Sequence, residues 1–281
     1  TPTAGAVIRY TTDGRAPAEN VGVIYTGPLS IQGTTTLRAA AFKPDHQPSA
    51  PIGQTYIFLK DVIRQTRPAE YPTRWGGGVA ADYEMDPDVV NDPRYRNTIQ
   101  DDLKSIPTVS IIMDPTDLFG ARDGIYTHPE SKGDRWERPT SAEFIYPDGR
   151  PGFQINSGIQ IQGGYGRIPS LKKHSLRLMF KRQHGPPALR YRVFDDSPVD
   201  KFDTLVFRSN YNYTWHGQEG GFGSTIGRAE YMRDEFSRRT QLALGQPASH
   251  GTYVHLYLNG LYWGLYNLVE RPDDSFAAAY L

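Results

Sequence analysis

No cysteine occurs among the 281 residues, which removes disulfides, thiol nucleophiles and thiolate metal sites together. Neither sign of charge is in excess. Lys and Arg total 31, and Asp and Glu total 31, so no net field points to nucleic acid or an anionic membrane as partner. No apolar run approaches the ~20 residues that span a bilayer. No signal peptide opens the chain, which starts directly on TPTAGAVIRYTTDG and so reads as an exported protein that has lost its leader or as an internal piece of a longer one. The seven histidines show no H-x-x-x-H or H-E-x-x-H spacing, which argues against a zinc site. Ser209 and His216 have no G-x-S-x-G elbow to support a hydrolase triad. What is present is 28 Gly, 22 Pro and 18 Tyr against 4 Met, a β-rich, turn-dense mixture that fits an extracellular protein. Hydrophobic content of 38% with 22% charge belongs to a globular chain.

The pattern divides the chain at about residues 60 and 105. Residues 1–60 read as four short strands about ten residues apart, with a turn at Asp13-Gly14, the spacing of a small β-sandwich. In the third strand Leu37, Ala39 and Ala41 share the apolar face. Four strands are few for a sandwich, so others are expected upstream of Thr1. Residues 61–105 hold Pro, a Gly triplet and many carboxylates; they predict an acidic, Pro-rich linker wrapped on the next domain, with a short helix near Tyr95–Leu103. Residues 106–281 alternate strands with one amphipathic helix, Arg228–Leu244, closed by Gly245, and end in a hairpin on Asn259-Gly260. The fold class is α+β: a mainly antiparallel, twisted sheet with a helix on one face, following a small immunoglobulin-like β-sandwich module.

Several constellations could carry chemistry. The turn Gln162-Gly163-Gly164-Tyr165-Gly166-Arg167 brings backbone amides within reach of a phosphate, or is simply a hairpin turn. In the following stretch, period-two geometry sets Leu176, Leu178 and Phe180 on one face and Lys173, Ser175 and Arg177 on the other. That second face either lines a cleft for an anion or is a solvated basic surface. On the helix, Glu230, Asp234 and Glu235 either orient a strand lysine or form surface ion pairs, with Met232 and Phe236 read as core. The hairpin runs into Glu270-Arg271-Pro272, which is either a hinge or a plain strand end with Asp274 capping a helix. Asp82, Glu84, Asp86 and Asp88 alternate like a calcium loop, but Pro87 and Pro93 replace its required Gly and Glu. Trp215 and Trp263 sit in apolar strands and read as core rather than sugar platforms.

From about Ile106 the blocks GIQIQGGYGR, LKKHSLRLMFK, FDTLVFRSNYNYTW, YMRDEFSRRTQLALG and VHLYLNGLYWGLYNLVERPDD resemble the CotH kinase family of secreted and spore-coat proteins, which have an atypical protein-kinase-like fold. The first 60 residues, through IRYTTDGRAP, IYTGPLSI and TTTLRAAAF, resemble the immunoglobulin-like module at the C-terminus of chitobiases and hexosaminidases. The resemblance implies ATP with Mg or Mn as cofactor and phosphorylation of Ser or Thr in a secreted or surface protein. It implies a bacterial, exported, extracellular or cell-surface location. It also implies ATP-binding roles for Lys173, Arg233 and Glu270, with Arg177 and the Gly163, Gly164 and Gly166 turn beside them. The family's frequent R-G-N-S-S turn is replaced by Gln162–Gly166, and its catalytic and metal-binding aspartates are expected downstream of Leu281. On that expectation the 281 residues hold the nucleotide-binding half without the catalytic half. The competing expectation is a non-catalytic surface or matrix protein whose module contacts polysaccharide; glycan hydrolysis has only the module's company in its favour.

Overall fold

The computed structural model describes residues 3–209 and 230–280; Trp215 and His216 lie outside them. The first module is a four-stranded antiparallel sheet in the order β2-β1-β3-β4, built from β1 (Val7–Thr11), β2 (Val23–Ile24), β3 (Thr35–Phe42) and β4 (Ile52–Tyr56). Alternation along β3 is present, but burial falls on the opposite face from the one expected. Thr36, Arg38 and Ala40 are buried, while Leu37, Ala39 and Ala41 remain partly exposed. The reason is that the module packs through its polar face on the next domain. Across the seam Thr55 meets Ser110 at 2.7 Å and Gln54 donates to Glu143 at 2.7 Å, while the Arg38 guanidinium is satisfied within the module by the Gly14 carbonyl at 3.0 Å. Hydrogen-bonded seams of this kind satisfy buried polar groups that apolar patterning cannot flag.

The remaining strands are β5 (Thr108–Met113), β6 (Arg138–Ile145), β7 (Gln154–Ile161), β8 (Leu176–Met179), β9 (Leu189–Arg190), β10 (Lys201–Phe202), β11 (Thr204–Arg208), β12 (Gly251–Leu258) and β13 (Leu261–Glu270). The expected antiparallel sheet is there, and it closes on itself. β11-β13-β12-β5-β6-β7-β8 form a barrel, with β8 pairing β11. All neighbours are antiparallel except β12 and β5. Seven strands enclose a space that side chains fill. Ile111, Ile159, Leu176, Leu178, Leu205, Phe207, Val254, Leu256 and Leu268 are buried in it.

One end of the barrel is sealed by aromatic rings, three of them from residues 61–105. Tyr71, Trp75 and Tyr83 join Phe119, Tyr126 and Trp263, with Trp75 5.3 Å from Tyr126 and 5.4 Å from Trp263, centroid to centroid. These are offset and edge-on contacts, the geometry ring quadrupoles favour. The stretch 61–105 is thus ordered by contact, with only four-residue helices such as Pro87–Val90 and Ile99–Asp102. Asp86, from the alternating acidic run, caps the first of these by accepting from the Asp88 amide at 2.9 Å. Trp263 reaches the cluster because β13 bulges there. Leu256 pairs with Gly264 and Tyr257 with Tyr262, skipping Trp263.

The Asn259-Gly260 turn adopts positive φ at both residues, +48° and +82°, the two-residue hairpin geometry its sequence calls for. Asn259 does more than turn the chain. Its Oδ1 accepts from the Met113 amide at 2.9 Å, and its Nδ2 donates to the Met113 carbonyl and the Tyr71 hydroxyl, each at 2.9 Å. Replacing Asn259 by Ala is expected to cost roughly 2–3 kcal/mol, from lost hydrogen bonds and a strained left-handed backbone; urea denaturation measures it, and a loss under ~0.5 kcal/mol would contradict the clamp. The module seam makes a second expectation. Burial raises the Glu143 carboxyl above its ordinary 4.5, so its favourable, protonated form is lost as pH rises and the parent loses stability above that value. Glu143→Gln does not titrate, so its Tm relative to the parent should climb between pH 4.5 and neutrality; a pH-independent difference would contradict this.

Candidate functional site

Two groups of residues cover opposite outer faces of the barrel. The module covers β5, β6 and β7. Over β11, β12 and β13 lies the helix Arg233–Ala243, shorter than the expected Arg228–Leu244 among the described residues. Gly245 follows it at φ +73°, the left-handed stop. The helix docks by charge, not by the apolar residues assigned to its core. Met232 is 62% and Phe236 72% exposed, whereas Glu235 is 7% exposed. Glu235 Oε2 receives Arg238 at 2.7 Å and Asn267 at 3.3 Å, and its Oε1 receives Arg239 at 2.7 Å. A Cβ at Gly251 would sit 2.5 Å from Glu235 Oε2, so a larger residue there would displace the carboxylate from its present position. Asp234 pairs with Arg208 of β11. A helix carboxylate does hold a strand cation, but the cation is Arg208 and not Lys173.

Between this helix and the glycine turn is a cleft of about 480 Å³. Its walls include Gln162–Gly166, Ser175, Arg208, Arg238, Glu270 and Arg271. The turn enters a short 3₁₀ segment, Tyr165–Arg167. A Cβ added at Gly163 or Gly164 would meet nothing within 4 Å, so the backbone there stands open. Arg238 is held by Glu235 and by Asn267 Oδ1 at 2.5 Å, and Arg271 pairs with Asp273 at 3.2 Å. Glu270 is buried, with both oxygens engaged. Oε2 accepts from the His250 amide at 2.8 Å and faces its Nδ1 at 3.1 Å, while Oε1 accepts from the Tyr280 hydroxyl at 2.8 Å. Tyr280 also meets Ser197 at 2.7 Å, which ties the helix Asp274–Tyr280 to the barrel rim.

The residues singled out from sequence therefore separate. Gly163, Gly164, Gly166 and Glu270 meet at the cleft. Arg177 stands on the outer face of β8, directly opposite Gln160 of β7 in the strand register; burial and nearby Arg271 both lower its pKa. Arg233 opens the helix, 3.8 Å from Glu230, and does not line the cleft. Lys173 lies at the sealed end of the barrel. β8 starts only at Leu176, so the period-two argument does not extend back to Lys173. Its ammonium donates to the Asp82 carbonyl at 2.7 Å and rests 4.0 Å from the Trp263 ring centroid, a cation–π contact. Arg208, Arg238 and Arg271 were missed as cleft residues, because β11, the helix and the end of β13 meet only once the barrel closes. The Asp234 and Glu270 neighbourhoods were the available signals.

The sequence profile of the CotH kinase protein family matches residues 159–280, which span β7 to Tyr280 and contain every cleft residue. The profile of the chitobiase/beta-hexosaminidase C-terminal domain matches residues 1–53. The chain thus carries a chitobiase C-terminal-type module followed by a CotH-like region. Comparison with curated proteins finds no match.

Desolvation lowers the Lys173 ammonium from 10.5 to about 8. The folded protein prefers the neutral amine, so the parent gains stability as pH rises from about 8 towards 10.5. Lys173→Met lacks that gain. Its Tm relative to the parent should fall across the same interval in differential scanning calorimetry, and an unchanged difference would contradict the buried-cation assignment.

Proposed function

We propose that the cleft is a nucleotide site of a CotH-type, kinase-like domain, taking ATP with Mg or Mn to phosphorylate Ser or Thr in a secreted or surface protein. The observation that carries this reading is the convergence of the open glycine turn with Arg208, Arg238 and Arg271 in one cleft of the CotH-matched segment. Backbone amides and guanidinium groups are the donors that phosphates select. The chemistry of the divalent ion fits less well. Glu270 is the carboxylate lining the cleft and is fully engaged. Among the described residues no three His, Asp or Glu side chains converge on a cation. The residues of this chain thus bind and orient phosphates, and a cation would supply charge neutralisation from the nucleotide side. An exported, cell-surface location in a bacterium belongs to the same proposal.

A second reading has one observation behind it. The module turns Tyr10, Leu37, Ile52 and Tyr56 outward on a half-exposed sheet face, which suits a matrix protein that contacts polysaccharide. Calorimetry separates the two. Mg-ATP or Mn-ATP should bind saturably below ~1 mM, Arg271→Ala should weaken binding roughly tenfold, and Lys173→Met should leave it within about twofold. No heat with either nucleotide, together with retention on insoluble glycan, would overturn the nucleotide reading.

A further inference from the structure

Beneath the glycine turn lies the side chain that closes its motif, Arg167, which is not among the cleft walls. Arg167 is 6% exposed. Its guanidinium donates to four backbone carbonyls: Gly163 at 2.6 Å, Pro129 at 3.0 Å, Ser131 at 2.7 Å, and Ile161. Among the described residues no carboxylate lies within ion-pair distance of it, in contrast to Arg208, Arg238 and Arg271, each paired with an acid. Carbonyl dipoles hold a guanidinium in place but leave its net charge uncompensated. The second anchor of the turn, His174, is buried and contacts the Gly166 carbonyl through Nδ1 at 2.8 Å. A carbonyl only accepts, so Nδ1 carries the proton. Burial holds this imidazole down at about 4, leaving it neutral near pH 7. The fixed charge under the turn therefore belongs to Arg167.

We infer that Arg167 is the positioning residue of the cleft: it locks Gln162–Gly166 from below and supplies the unpaired positive charge that draws an anionic ligand to the glycine turn rather than to the helix side. The helix side offers Arg208 and Arg238, but Asp234 and Glu235 already neutralise them. At the turn, Arg177 adds to the same field, and its proximity further disfavours charge on Arg167. A bound polyanion relieves that repulsion, which is a gain available only in the complex. The inference rests on the cleft being an anion site.

Inorganic tripolyphosphate is the probe, since it has no base or sugar to bind elsewhere. Calorimetry at low and high NaCl, with hydrogen exchange of the 162–166 amides, would be run on the parent, Arg167→Lys and Arg167→Met. The parent should bind, and binding should slow exchange at Gly163, Gly164 and Gly166. Arg167→Met should bind roughly tenfold more weakly, with a larger loss at low salt, and its turn amides should exchange faster without ligand. Arg167→Lys should recover most of the affinity while its turn still exchanges fast, because a lysine keeps the charge but not the four-carbonyl fork. Folded Arg167→Lys and Arg167→Met proteins with parental affinity overturn the inference and leave the cleft reading standing. If neither variant folds, the parent decides: ligand protection confined to the helix side overturns it equally. A parent that binds neither tripolyphosphate nor ATP removes the cleft reading itself.

Discussion

The hairpin of β12 and β13 is the constraint on which the barrel depends. β12 is bound on one side to β13 and on the other, in parallel, to β5. β13 in turn pairs β11. Without this pair the remaining strands would be left as two separate edges, each with unpaired backbone groups. The turn fastens the near end, since Asn259 grips both backbone groups of Met113 at the end of β5. The far end delivers Glu270, whose two oxygens gather His250 and Tyr280 at the rim of the cleft. A single element thus sets closure, register and one wall of the site.

Closure also explains why the candidate cleft sits on the outside. A seven-stranded barrel has room only for its own side chains, so any ligand must use an outer face or a rim. One outer face is consumed by the module, through Thr55 on Ser110 and Gln54 on Glu143. Over β11, β12 and β13, the helix approaches through a polar network centred on Glu235 rather than through an apolar stripe. Docking by charge leaves guanidinium donors at the margin, across the cleft from the glycine turn.

Much of the architecture was legible in the sequence, and the misses share one physical cause. Asn259-Gly260, the Gly245 stop and the alternating strands report local backbone demands, and local demands survive without tertiary context. The CotH-like and chitobiase-type regions were likewise recognisable from their sequence blocks. Burial on polar surfaces was not. Leu37, Ala39 and Ala41 form the apolar face of β3, yet Thr36, Arg38 and Ala40 are the buried ones. Met232 and Phe236 look like helix core and are exposed, because Glu235 makes the contact. Periodicity identifies which residues share a face but cannot tell which face is covered when the covering surface is itself hydrogen-bonded.

Lys173 and Arg167 show the same limit at the site. Both are cations flanking the glycine turn in sequence, and a strand drawn back from Leu176 favours Lys173 as the ligand contact. The strand begins three residues later than Lys173, and the intervening chain carries the amine to the aromatic seal, where the Asp82 carbonyl and the Trp263 face satisfy it. Arg167 turns under the loop instead, its guanidinium spread over carbonyls that hold it in place without cancelling its charge. Lys173 keeps its charge too, since a carbonyl and a ring face do not cancel it, but that charge rests at the aromatic seal, whereas Arg167 carries its own directly beneath the turn. The distinction depends on where each charge comes to rest, and that is a property of the closed barrel rather than of the motif.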